Sequence, residues 1–281
     1  MIVFNGSVYS HINSLPEAEL NGLINNGVSI EETIRVEAGK LKFWELHYFR
    51  MMASMRILRM GIPMNFTMEY LEEQIHSVLN SNNLSSDSSL VSLSFFSADQ
   101  PTRENPIVST SFLIKAKASS IPSTFKIGTR SIELYKDHWI TKGLYGTLES
   151  SNKRLRTLAS VFAFENNFED LILINEDKQV TETLEGAIFS VKGDQIKTAP
   201  ITSGCRSSVY RQLIIDIIEK TDGMDFEEGS ISPFDLQKSD ELFVVSVEHG
   251  IKSVKQYRKK IFTPSKAEFL FSKFITSYRL S

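Results

Sequence analysis

Four segments of this chain carry residue types that could hold a phosphorylated or otherwise anionic small molecule. Arg50 closes the run Glu45-Leu46-His47-Tyr48-Phe49-Arg50, early in a stretch of helical periodicity, where a guanidinium can pair bidentately with a phosphate. An arginine on a helix is, taken alone, more often a solvated charge. Glu182 lies in Val180-Thr181-Glu182-Thr183, between two apolar runs that read as strands. A carboxylate at such a strand end can accept a hydrogen bond from a protonated pyridine nitrogen and keep that ring an electron sink; the plain alternative is an exposed glutamate in a turn. Ser203-Gly204-Cys205-Arg206-Ser207-Ser208-Val209-Tyr210-Arg211 runs into the strongest helical pattern of the second half. Backbone N–H groups at a helix N-terminus, with the helix dipole, make an anion site, although Ser207 or Ser208 would also serve as an ordinary N-cap. Ser246 ends the apolar run Glu241-Leu242-Phe243-Val244-Val245-Ser246, where its hydroxyl either donates to the same anion or is satisfied by its own backbone.

The elements that must position these residues follow from periodicity. Ile2 to Phe4 leads into Asn5-Gly6, and Ile34–Val36 and Leu41–Phe43 flank Ala38-Gly39, so both pairs read as β-hairpins. Glu45 to Met60 places Leu46, Phe49, Ala53 and Ile57 at helical spacing, and Met68 to Leu79 does the same with Leu71, Ile75 and Val78. Val91, Leu93 and Phe95 alternate with serines, and Val108 to Ile114 is a further β-rich run. These pieces make residues 1–118 a small α+β domain. A polar, proline-bearing stretch, Ala118 to Ser123, reads as a linker. Residues 119–281 form a larger domain that alternates short strands (Phe125–Tyr135, Leu171–Ile174, Ala187–Val191, Gln195–Thr198, Leu242–Val247) with helices (Lys153–Asn166, Val209–Lys220, Lys266–Tyr278).

Composition narrows the partners. At 281 residues, 41% hydrophobic and 23% charged, the chain suits two modest domains, and a net charge of -3 leaves no basic footprint for nucleic acid. No apolar run approaches the length of a membrane span, and MIVFNGSVYSHIN has neither a charged n-region nor an apolar h-region, so a cytoplasmic location is expected. One cysteine, Cys205, and five histidines without zinc-ligand spacing give no metal-binding pattern, so no metal chemistry is expected.

The order of the motifs is more specific than any one of them. Asn5-Gly6, Glu32-Thr33, His47-x-x-Arg50, Asn152, Leu158-Ala159, Glu182-Thr183, Ile188-Phe189, Thr198-x-Pro200, Gly204-Cys205, Arg211 and Gly250-Ile251 together resemble the class IV (fold-type IV) pyridoxal-phosphate-dependent aminotransferase family over essentially the whole chain. The GKLKF turn, Ser203-Gly204-Cys205 and the tail from Glu248 to Tyr257 are most similar to the aminodeoxychorismate lyase-like members, beside the branched-chain aminotransferase-like ones. The resemblance implies a two-domain α/β (α+β) fold like that of D-amino acid aminotransferase, with the cofactor cleft between the domains. It also implies a homodimer and, if the chain is active, a small amino or keto acid substrate. It implies pyridoxal phosphate (PLP) as cofactor, with Arg50 as the phosphate-binding arginine and Glu182 as the partner of the pyridine nitrogen. Val209 and Tyr210 would cradle the phosphate with their amides, and Ser246 would fall on the second phosphate-contact strand.

Departures from the family pattern concentrate on the cofactor. The Schiff-base lysine is expected three residues before the asparagine that opens a helix, and Leu148-Glu149-Ser150-Ser151-Asn152 fills that frame with Glu149. A rescue by Lys142 or Lys153 requires an insertion or deletion. Asn26 to Thr33 lacks the family tyrosine, Gly186-Ala187 replaces Ser-Asn, Ser208 replaces a glycine, and Ser94 stands where relatives tend to carry arginine. A carboxylate neither condenses with an aldehyde nor shuttles a proton as an amine does, so covalent cofactor attachment and transamination are expected to be impaired or absent. Glu149 is expected close to Glu182, one of the two having a raised pKa or being neutralised by Lys142, Lys153 or Arg154. Two readings follow: a degenerate enzyme or non-catalytic scaffold, and an active aminotransferase or lyase with a relocated lysine.

Overall fold

Asn5 and Gly6 both have positive φ (44° and 87°), and this two-residue turn sets β1 (Ile2–Phe4) against β2 (Ser7–Tyr9). The computed structural model describes residues 1–15, 27–99, 102–119 and 128–281; Asn26, the stretch from Ser120 to Ser123 and the start of the strand expected from Phe125 lie outside them. Packing groups the chain into two units. One is Met1–Ser123 with Glu149–Asn152 and Ser281, and the other is Thr124–Leu148 with Lys153–Leu280.

In the first unit, β3 (Ser29–Glu37) and β4 (Lys40–Leu41) form the second hairpin, turning at Ala38 and Gly39 with φ of 48° and 77°. Helices α1 (Trp44–Ile57) and α2 (Met68–Ser81) follow, then β5 (Ser89–Ser97) and β6 (Thr110–Ala118), in a six-stranded sheet of order β2-β1-β6-β5-β3-β4. Thr67 caps α2, its hydroxyl accepting the Tyr70 amide at 3.1 Å, and Leu71, Ile75 and Val78 of that helix join the core with Ile34, Val91, Leu93 and Ile114 of the sheet. α1 faces the core differently from what its spacing suggests. Leu46, Phe49 (57% exposed) and Ile57 point outward, and His47, Met51 and Met55 line the buried face. The inward stripe is itself apolar, with Trp44, Met51, Met52 and Met55 in the core of this unit, and it carries His47 and Arg50 to the buried Glu32.

The second unit has a nine-stranded sheet. It comprises β7 (Thr129–Leu134), β8 (Asp170–Ile174), β9 (Val180–Thr183), β10 (Ala187–Lys192), β11 (Gln195–Thr198), β12 (Asp225–Glu228), β13 (Glu241–Ser246), β14 (Gly250–Tyr257) and β15 (Lys260–Ile261). The order is β12-β11-β10-β13-β14-β7-β8-β9, with β15 beside β14. Helices α3 (Arg154–Glu165), α4 (Val209–Glu219), α5 (Pro233–Lys238) and α6 (Lys266–Leu280) accompany it. The strands are not a simple alternation with helices: β8–β9, β10–β11, β10–β13 and β13–β14 are antiparallel pairs, and only β7–β8, β7–β14 and β11–β12 run parallel. Phe189 of β10 stacks on Phe243 of β13 with ring centroids 5.0 Å apart, fixing the register at the sheet centre. Ile172, Ile174, Val180, Ile188, Leu242 and Val244 form the apolar interior.

Candidate functional site

Glu182 stands on β9 with only 1% of its surface exposed, so its charge must be met inside the protein. Two guanidiniums meet it. Arg156, from the first turn of α3, donates Nη2 to Oε1, and Arg206 places both its backbone N–H (2.8 Å) and its Nε (3.0 Å) on Oε2. Arg206 is fixed further by Nη2, which donates to the carbonyls of Thr183 (3.3 Å) and Leu184 (3.1 Å) at the end of β9. At Glu182 the neutralising bases are therefore Arg156 and Arg206. Arg206 belongs to the run from Ser203 to Arg211 and Arg156 sits two residues after Arg154, but no local spacing signals that both converge on a carboxylate 24 and 26 residues away in sequence.

Through Arg206 the carboxylate is tied to the approach to α4. Gly204 adopts φ 94°, and a Cβ there would lie 2.3 Å from the Thr141 carbonyl oxygen, so only glycine lets this loop pass. Ser208 caps α4, its Oγ accepting the Arg211 amide at 3.2 Å, and Val209 and Tyr210 are the first two residues of the helix. The side chains of both residues are core, with Tyr210 against Phe274, so any contact to a ligand is through their amides. Arg211 turns inward too, pairing with Glu228 and donating to the Ala199 carbonyl at 2.9 Å. Cys205 is buried, and desolvation pushes its thiol up to about 11, which removes it as a nucleophile. Ser246, at the end of β13, accepts the His249 amide on its Oγ at 3.2 Å and so closes the β13–β14 turn.

Arg50 belongs to the first unit. Its Nε and Nη2 both lie 2.8 Å from Oε2 of Glu32, while Oε1 of Glu32 stands 2.5 Å from Nδ1 of His47. Glu149 is held there as well by its backbone: its carbonyl accepts the Glu31 amide at 2.8 Å, and two residues on the Ser151 amide donates to Ser29 Oγ at 3.2 Å. Lys142, in the second unit, pairs with Asp177, and that carboxylate raises its pKa by a hydrogen bond and by its charge. Lys153 is the exposed residue preceding α3. Among the described residues, no three His, Cys, Asp or Glu side chains gather into a metal site and no helix is long and apolar enough to cross a membrane.

The model of the Amino-transferase class IV family matches residues 29–257. The chain belongs to this class IV aminotransferase family. A branched-chain amino acid aminotransferase of Humulus lupulus is 29% identical over 145 residues, covering 50% of this chain and 37% of that relative, so the match spans little more than a third of it. A D-alanine aminotransferase of Listeria monocytogenes is 26% identical over 227 residues, 78% of this chain and 75% of the relative. Among solved structures, the PLP-form of a branched-chain aminotransferase from Thermobaculum terrenum superposes with TM-score 0.82 at 16% identity, covering 100% of this chain and 94% of that one. A putative 4-amino-4-deoxychorismate lyase from Legionella pneumophila gives 0.74 at 20% identity, over 89% and 91%. The two-domain α/β fold of this family is therefore the fold of this chain, and family membership implies PLP.

This chain's own residues fit one half of that cofactor. The capped start of α4 offers backbone amides to a phosphate. Three hydrogen bonds already occupy Glu182, which a pyridinium nitrogen would need.

Proposed function

We propose that this class IV aminotransferase-family protein does not transaminate and uses the inherited pocket to bind a phosphorylated or carboxylated small molecule without a covalent bond. The observation that carries this reading is Glu149, a carboxylate where the family motif calls for the amine that captures an aldehyde. Lys142 supports it from the other side. Its ammonium is stabilised by Asp177, and a protonated amine is no nucleophile. The amides of Val209 and Tyr210 at the start of α4 are the groups we assign to the anion, and amino or keto acids are the class of small molecule. A homodimer is the proposed assembly, because α3 presents Leu158, Val161 and Phe164 (85% exposed) on one face, an apolar stripe that a second copy would cover.

The test is borohydride reduction of the protein with added PLP, followed by peptide mass spectrometry. No pyridoxyl adduct is expected at Lys142 or Lys153. A stoichiometric adduct at either one would restore the reading of an active aminotransferase or lyase. Glu149→Lys completes the experiment: in an otherwise intact site it forms a yellow aldimine with PLP, whereas a variant that stays colourless at high PLP shows that the pocket has changed beyond one residue.

A further inference from the structure

The acceptor at Glu182 is not open to a protonated ring nitrogen. A carboxylate has about four acceptor positions, and Arg156 Nη2, the Arg206 amide and Arg206 Nε take three of them. Guanidiniums remain protonated at any pH a protein tolerates. A cationic ligand atom brought here would therefore face two fixed positive charges sharing one buried negative charge, and like charges at that range disfavour protonation. The two arginines are not equivalent. Arg206 is pinned at its backbone and through Nη2 to two carbonyls, whereas Arg156 reaches Glu182 through Nη2 and its buried Nε has no hydrogen-bond partner. Arg156 also keeps 21% of its side-chain surface exposed against 15% for Arg206, so it is the guanidinium with more freedom to turn towards a ligand.

We infer that the hydrogen-bonding polarity of this position is inverted: Arg156 donates to the ligand, and a ligand places an acceptor there, an unprotonated ring nitrogen, a carbonyl or a carboxylate, in place of a protonated nitrogen. This rests on the proposed reading that the pocket still takes a ring-bearing anion without a covalent bond. Arg156 then sets specificity, since it selects neutral or anionic edges over cationic ones. The ring of a pyridoxal-type ligand held here is a weak electron sink, which removes the second requirement of transamination independently of Glu149.

The test uses pyridoxamine 5′-phosphate labelled with ¹⁵N in the ring, which needs no lysine to bind. With the full chain, the ring nitrogen is expected to show the chemical shift of the unprotonated form from mildly acidic to mildly alkaline pH. In Arg156→Leu, which frees Oε1, it is expected to move to the protonated position, with binding tightened about tenfold, the equivalent of one charge-assisted hydrogen bond. Arg156→Gln, which keeps a neutral donor and much of the bulk, guards against a folding defect and should shift the nitrogen in the same direction. If the native chain does not bind the compound and Arg156→Leu does, Arg156 excludes the ring instead of donating to it, and the inference fails. A protonated ring nitrogen in the native chain overturns it, as does failure of both native and variant proteins to bind. A borohydride-stable adduct sinks the proposed function and leaves the ring-nitrogen result to be read on its own, so the two failures are distinguishable.

Discussion

Glu32 and Glu182 are both buried carboxylates held by two basic side chains, one in each unit, and they differ in where those side chains come from. Both partners of Glu32 lie on a single helix three residues apart, so the turn of α1 delivers them together and one of them is a histidine. Both partners of Glu182 are guanidiniums, and they arrive from separate elements, α3 and the loop before α4. A cluster built on one helix is a local motif with one permanent positive charge. A cluster built from three segments holds two permanent positive charges against one negative, and it acts as a tertiary clasp on the loop that begins α4.

Removing the carboxylate from each cluster should separate the two cases. Glu182→Gln leaves two guanidiniums facing each other with little solvent, and is expected to destabilise the fold by about 3 kcal/mol in urea unfolding, at the low end for a broken buried pair because both arginines keep some exposure. Glu32→Gln leaves one arginine that is partly solvated and a histidine that can be neutral, and a loss of about 2 kcal/mol or less is expected. Equal losses would show that the origin of the partners is irrelevant.

A third charged site sharpens the comparison, since its charge can be switched. Arg130 of β7 bridges Asp170 (3.2 Å) and Glu185 (2.7 Å), with His249 3.4 Å from Glu185 and Lys252 beside them. Burial pulls the His249 pKa below its usual value, against the raising effect of Glu185, while Lys252 and Arg130 lower it further. A histidine whose folded pKa lies below its unfolded value of about 6.5 gives stability that is full above that value and is lost as pH falls through the folded one. His249→Gln is therefore expected to flatten the fall in unfolding free energy on the acid side of neutrality. A steeper fall in the variant would contradict the assignment. The smallest effect is expected at the exposed pair of Lys142 and Asp177, where Lys142→Ala should leave the melting temperature unchanged within error, as isolated surface pairs do.

How much of this was legible beforehand depends on the range of the interaction. Hairpins at Asn5-Gly6 and Ala38-Gly39, the core face of α2 and the strand β11 follow from turn chemistry and periodicity, which act over a few residues. The order of the motifs was enough for the family. The inward face of α1 was not legible, because the helix has two apolar stripes, Leu46, Phe49 and Ile57 on one side and Trp44, Met51 and Met55 on the other, and only packing against the sheet selects the second. Strand β14 was hidden by its polar residues Lys252, Ser253, Lys255 and Gln256, whose places are set by its neighbours β13 and β7.

The sequence by itself determined which carboxylates, arginines and helix starts are present, and that Glu149 stands in the frame from Leu148 to Asn152, because residue identity and spacing are written in the chain. Only the tertiary structure decided what Glu182 is bonded to. Arg156 and Arg206 reach it from α3 and from the loop before α4, and a charge buried to 1% exposure takes its partners from whatever the fold brings within hydrogen-bond distance, irrespective of separation along the chain.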